Sequence, residues 1–108
     1  MKITNCNSGR DGSQQYNMMS DKGGVVQFAT FDDEMCAHTW HCPGEGKQFL
    51  AALEEHANKI DRKLTIPTVI NPKLANILSV AGYVKTYREV VCMGMVDTVE
   101  LWIHKREV

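Results

Sequence analysis

Between Cys36 and Leu50 the chain reads CAHTWHCPGEGKQFL, which places two cysteines, two histidines, two glycines and a tryptophan directly ahead of a helix-like run. Three chemistries suit such a cluster. Cys36, His38, His41 and Cys42 are all competent zinc ligands, and in a strand Cys36 and His38 share a face. Yet Cys-x-His-x-x-His-Cys matches no standard ligand pairing, and no second Cys/His pair follows downstream. Strand alternation also turns His41 to the opposite face, so no metal is expected. A Cys/His nucleophilic dyad is the second option, because a thiol at Cys42, beside a helix N-terminus, is expected to have a lowered pKa. No residue type nearby identifies the group that would orient the base. The third option is an anion loop. A strand ending near Trp40, then Gly44 and Gly46, then a helix would let a phosphate approach bare main-chain amides and the positive end of the helix dipole. The plain alternative is a tight turn leading into a helix.

The surrounding elements must position that stretch. Asn5 to Gln15 is polar and turn-rich, which predicts a loop with a mobile tip after a short first strand around Ile3. QYNMMS and VVQFATF, separated by the glycine turn DKGG, read as a hairpin, and the turn DDE leads into a further strand, MCAHTW. KQFLAALEEHANKID spaces Phe49, Leu53, His56/Ala57 and Ile60 by threes and fours, the pattern of an amphipathic helix. KLTIPTVI reads as a buried strand, where Pro67 lacks a ladder donor and so marks an edge or a place where the sheet opens. NPKLANILSVAG has an Asn cap, a proline at the first helical position and a terminal glycine, the start and stop signals of a short helix. YVKTYREVVCM, the turn GMVDT and VELWIHK complete a terminal hairpin. The resulting order is β-β-β-β-α-β-α-β-β, an α+β class with a mixed sheet and two helices.

With 108 residues the chain is long enough for one domain with its own core, and a single domain spanning 1–108 is expected. Twelve basic side chains against thirteen acidic ones, scattered singly, leave no polybasic stripe, which argues against nucleic-acid binding. No apolar leader and no bilayer-length apolar run is visible, so a cytoplasmic protein without a membrane partner is expected. In that reducing setting Cys6, Cys36, Cys42 and Cys92 are expected to be thiols.

From His41 onward the chain resembles the GNAT superfamily of acyl-CoA-dependent N-acyltransferases. HCPGEGKQFL is similar to the family's pyrophosphate loop, Gln/Arg-x-x-Gly-x-Gly/Ala followed by a helix with an apolar pair; it matches both glycines and the pair Phe49-Leu50, and departs at His41. NPKLANILSVAGY places Asn71, Gly82 and Tyr83 in the register of the family's Asn, short helix and Gly-aromatic pair. The resemblance implies a GNAT-like, mostly antiparallel sheet with two helices, lacking the usual N-terminal helices. It implies acetyl-CoA as co-substrate, held by His41, Cys42, Gly44, Glu45, Gly46, Lys47 and Asn71. It also accounts for Pro67, because the family's strands splay apart there to admit the pantetheine arm.

Two departures bear on activity. The tyrosine that many members use as general acid falls on Leu78, with Ser79 adjacent and Tyr83 at the core aromatic position. The segment that usually builds the acceptor site is reduced to the polar stretch before Tyr16. A general base has to come from Asp33, Glu34 or His38, each of which also has an ordinary structural role. Two functions follow: a minimal acetyl-CoA-dependent N-acetyltransferase acting on an amine, or a GNAT-like binding or assembly protein without catalysis. Short chains of this kind look like phage-encoded virion components or inhibitors of a host factor, located in the host cytoplasm or the virion. A homodimer or a place in a larger assembly is compatible with either.

Overall fold

The computed structural model describes residues 1–8 and 13–107. The class is α+β, with seven strands, two α-helices and a terminal 3-10 turn in the order β1 (Lys2–Ser8), β2 (Gln14–Met19), β3 (Val25–Thr30), β4 (Glu34–His41), α1 (Gly46–Lys59), β5 (Lys63–Pro67), α2 (Pro72–Val80), β6 (Tyr83–Cys92), β7 (Met95–His104). The residues gather into two compact units, 1–64 and 65–108, and the strand pairings described within each are antiparallel.

In the first unit β1 to β4 form a meander in which each strand pairs with the next in sequence. The first strand is longer than the polar composition of Asn5–Gln15 suggests. Its pairs run from Lys2↔Met19 to Ser8↔Gln14, so β-pairing with β2 outweighs the turn propensity of those residues. The tip expected to be mobile, residues 9–12, lies outside the described residues. One face of the meander carries Tyr16, Met18, Val26, Phe28, Met35 and Ala37. Helix α1 lies against it, burying Phe49, Leu50, Leu53 and Ala57, with His56 tilted onto Phe28 at a 5.5 Å centroid separation and Tyr16 stacked on the same ring at 5.1 Å. The spacing of threes and fours in α1 thus meets the period of two in β2 to β4.

In the second unit β7 lies between β5 and β6, with Ile66 opposite Trp102 and Lys85 also opposite Trp102. Strand β5 ends at Pro67, three residues short of the apolar run that the sequence predicts as strand. Thr68 then turns off with φ +39 and donates its N–H to the Glu100 carbonyl at 3.1 Å. Helix α2 starts as its signals require: Asn71 Oδ1 accepts from the Lys73 N–H at 2.9 Å and Pro72 is the first helical residue. Its end is marked by Gly82 at φ +93, where a Cβ would come within 3.0 Å of the His104 ring. The terminal hairpin corrects the expected turn at GMVDT. β6 and β7 stay paired out to Cys92↔Met95, and the loop is the two residues Met93 (φ +53) and Gly94 (φ +78), the positive-φ pair of a type I′ turn.

Candidate functional site

The stretch from β4 into α1 lies within the first unit. β4 leaves the sheet at His41 and CPGE forms a β-turn closed by the Glu45 N–H donating to the Cys42 carbonyl at 3.0 Å. Pro43 and Gly44 take the two central positions, Gly44 with φ +76, as a type II turn demands. A Cβ at Gly44 would meet nothing within 4 Å, so conformation rather than space selects glycine there. Because its amide closes the turn, Glu45 offers no bare N–H, and the amides left for an anion are those of Gly46, Lys47 and Gln48 in the first turn of α1. The N-cap Glu45 makes no side-chain capping bond and the first turn holds no acidic residue.

The Glu45 carboxylate is turned onto the β2–β3 hairpin instead. Its Oε2 accepts from Ser20 Oγ at 2.9 Å, and Ser20 Oγ in turn accepts from the Gly24 N–H at 3.0 Å. Gly24 is buried, and a Cβ there would collide with Glu45 Oε2 and stand 2.9 Å from the Phe49 ring. The hairpin tip therefore docks on the N-terminus of α1 through the absence of a side chain. The Cys42 thiol feels this arrangement, because burial, and secondarily the charge of Glu45, raise its pKa. That reverses the lowered value expected from the helix N-terminus alone and argues against a thiolate dyad.

Upstream, β4 carries a bulge that the sequence conceals. Phe28 pairs with Ala37 but Gln27 pairs with Thr39, leaving His38 as the extra residue. The Trp40 indole N–H donates to the Ala37 carbonyl at 3.1 Å, supplying a partner at the interrupted ladder. The bulge also shifts the alternation: Cys36, Thr39 and His41 now stand opposite Ala29, Gln27 and Val25 on one face, the face away from α1. His41 is therefore on the same face as Cys36, not the opposite one. Among the described residues, no three His, Cys, Asp or Glu side chains come together as a metal-holding group.

His38 is held from both ring nitrogens. Gln15 Nε2 donates to Ser13 Oγ at 3.1 Å, which leaves Gln15 Oε1 to accept from His38 Nε2–H at 3.1 Å. His38 Nδ1 is then the acceptor and takes the Thr39 hydroxyl at 2.8 Å. Burial lowers the His38 pKa, so the neutral imidazole with its proton on Nε2 is the form this chain of bonds selects. Around it the same sheet face presents a polar row, Thr4, Asn17, Gln27 and Thr39, in direct register across four strands. Asn17 Oδ1 in that row is buried without a hydrogen-bond partner.

The structure thus joins His38 to Gln15 and Thr39, and Glu45 to Ser20. Glu34 opens β4 four residues before His38, about 13 Å along an extended strand. Asp33 lies in the preceding turn, exposed, with its carbonyl accepting from the Lys63 N–H at 3.0 Å. Asn71 spends its side-chain oxygen on the α2 cap, and Leu78 is fully buried in that helix. Sequence reasoning missed Gln15, Ser20 and Gly24, whose partners are 23 to 25 residues away or depend on a turn geometry. It missed Glu100 as well. Its Oε2 accepts from the Trp102 indole and from the Val69 N–H, both at 2.9 Å, and these bonds lower its pKa.

No family model matches this chain, and no curated protein matches it. No helix among the described residues is long and apolar enough to cross a membrane.

Proposed function

We propose that the chain is a minimal acyl-CoA-dependent N-acyltransferase, with His38 as general base toward an amine acceptor and acetyl-CoA as the acyl donor. The observation that carries the reading is the neutral His38 on its bulge, oriented through Gln15, in the strand that runs by a type II turn into the first-turn amides of α1. A neutral imidazole is the form able to take the proton that the amine sheds as it attacks; Gln15 on Nε2 orients the ring, and the Thr39 hydroxyl has to turn off Nδ1 for that nitrogen to accept it. The Gly46, Lys47 and Gln48 amides supply donors and positive potential for a pyrophosphate, with Glu45 drawn aside onto Ser20. His38 is preferred over Asp33 and Glu34 because these lie before and at the start of β4, away from the turn into α1.

The test is calorimetric titration with acetyl-CoA, followed by transfer to a small primary amine. Saturable binding that Gly46→Glu abolishes with the circular dichroism unchanged supports the reading. Silence at millimolar acetyl-CoA defeats it. A second reading, a binding or assembly protein without catalysis, is favoured by one observation: Tyr87, Val91, Met93, Met95 and Val96 of the terminal hairpin are all exposed.

A further inference from the structure

That hairpin points to an interface independent of acyl transfer. Among the described residues β6 is paired with β7 alone; it closes the strand order of the second unit and runs ten residues in unbroken register without a bulge or proline. Edges of this kind are normally blunted by exactly those interruptions or by clustered lysines, and β6 has one lysine, Lys85. The outer part of the ribbon, toward the Met93-Gly94 turn, is also bare, whereas Tyr83, Leu101 and Trp102 at its base are buried. Tyr87, Val91, Met93, Met95 and Val96 are between 65% and 97% exposed, although a two-stranded ribbon without cover is marginally stable in water.

We infer that β6 is a self-association edge, on which a second copy of this chain adds its own β6 antiparallel about a two-fold axis at Tyr87. A two-fold axis normal to a sheet keeps each face on its own side, so a residue can stand opposite only residues of its own parity. That restricts the choice of register, and among the registers it leaves only one sets opposite charges against each other. Centring the axis on Arg88 sets two Arg88 side chains against each other; Glu89 and Lys85 fail in the same way. Centring it on Tyr87 sets Lys85 opposite Glu89 of the second copy, twice by symmetry, and Val84 opposite Val90, also twice. Val91 then stands opposite Tyr83 of the second copy, and the two Tyr87 rings meet at the axis. The Lys85 ammonium already lies 3.6 Å from Glu100 and over the Trp102 ring at 5.7 Å, with half its side chain exposed. It is thus held in place as the bridge between Glu100 of its own chain and Glu89 of the other. The same register carries the Met93 tip to the level of the Ala81-Gly82 turn of the second copy, beside Val80, which is itself exposed.

A single strand edge with its flanking side chains covers less than the roughly 1,600 Å² of a standard interface, so association belongs in the micromolar range or weaker. Sedimentation equilibrium on the full chain, from low micromolar to near-millimolar concentration, reads the mass. A dimer is expected. Glu89→Lys turns both bridges into like-charge pairs of one sign and Lys85→Glu into like-charge pairs of the other, so each variant alone should be a monomer. An equimolar mixture of the two restores opposite charges at both bridges and should dimerise. A wild-type chain that stays monomeric throughout overturns the inference, and so does a Glu89→Lys variant that keeps its circular dichroism and still dimerises. If Lys85→Glu fails to fold because Glu100 loses its cation, the wild-type mass and Glu89→Lys still decide the question.

Discussion

Ser20 Oγ, in the loop between β2 and β3, donates to Glu45 Oε2 at the N-terminus of α1, 2.9 Å away and twenty-five residues on. One bond thereby ties the tip of a hairpin to the start of the helix that covers it. Ser20→Ala should destabilise the chain by about 1 kcal/mol, the usual worth of such a bond, as read from urea unfolding. Gly24→Ala should do more, about 1–3 kcal/mol, since its methyl would have to displace the Phe49 ring as well as the Glu45 carboxylate. Equal stability of Gly24→Ala and the wild type would contradict the docking described.

His38 should control both rate and pH response. His38→Ala is expected to lower acyl transfer by about two to four decades with little change in acetyl-CoA binding, while Gln15→Ala should give a smaller loss. For stability the sign follows from the lowered folded pKa. As pH falls below the ordinary imidazole value of about 6.5, the unfolded chain takes up the proton before the folded one, so stability declines over that interval. His56, lowered by burial and then by Lys59, acts in the same direction. The His38→Gln variant should retain only the His56 part of the decline in a series of unfolding curves from neutral to mildly acid pH.

Glu100 should be the most sensitive carboxylate in the second unit. Glu100→Ala removes the acceptor of both the Trp102 indole and the Val69 amide, and the loss should be about 2–4 kcal/mol, with a change in Trp102 fluorescence. Glu100→Gln keeps an acceptor and should cost less. Because its folded pKa is lowered, chiefly by the Trp102 bond and next by Val69, Glu100 contributes stability above the ordinary glutamate range. That contribution is lost as pH falls through its folded value. A fluorescence-monitored acid titration that is identical for wild type and Glu100→Gln would refute this.

Leu78→Tyr tests the idea that a missing acid can be put back. Leu78 has no exposed surface, so a phenol there has to enter a filled space. The expected outcome is a loss of about 1–3 kcal/mol in stability and no gain in transfer. A stable variant with a faster turnover would contradict this.

Where an element's cause is local, the sequence exposes it. Asn71, Pro72 and Gly82 bracket α2 in their own ten-odd residues, DKGG bends β2 into β3, and the spacing of Phe49, Leu53 and Ala57 identifies the buried side of α1. Features whose cause is a partner strand stayed hidden. The bulge at His38 exists only as a mismatch between β3 and β4, and it reverses the face of His41 that simple alternation gives. The thiol at Cys42 departs from the helix-terminus expectation first because the fold buries it in part, and second because Glu45, three residues on and bonded to Ser20, brings a negative charge. Met93 conceals its turn because a non-glycine at positive φ is rarely anticipated, even before Gly94.

The strand order has a kinetic side. β1 to β4 pair in succession and β6 pairs with β7 through a two-residue turn, so most ladders close over short loops. Among the ladders described above, β5–β7 closes over the longest stretch of chain, joining Thr65 to Ile103, roughly forty residues apart, across α2 and β6. The seating of β5 beside β7 is accordingly expected late in refolding, and mutations in β5 should speed unfolding while leaving the folding rate almost unchanged.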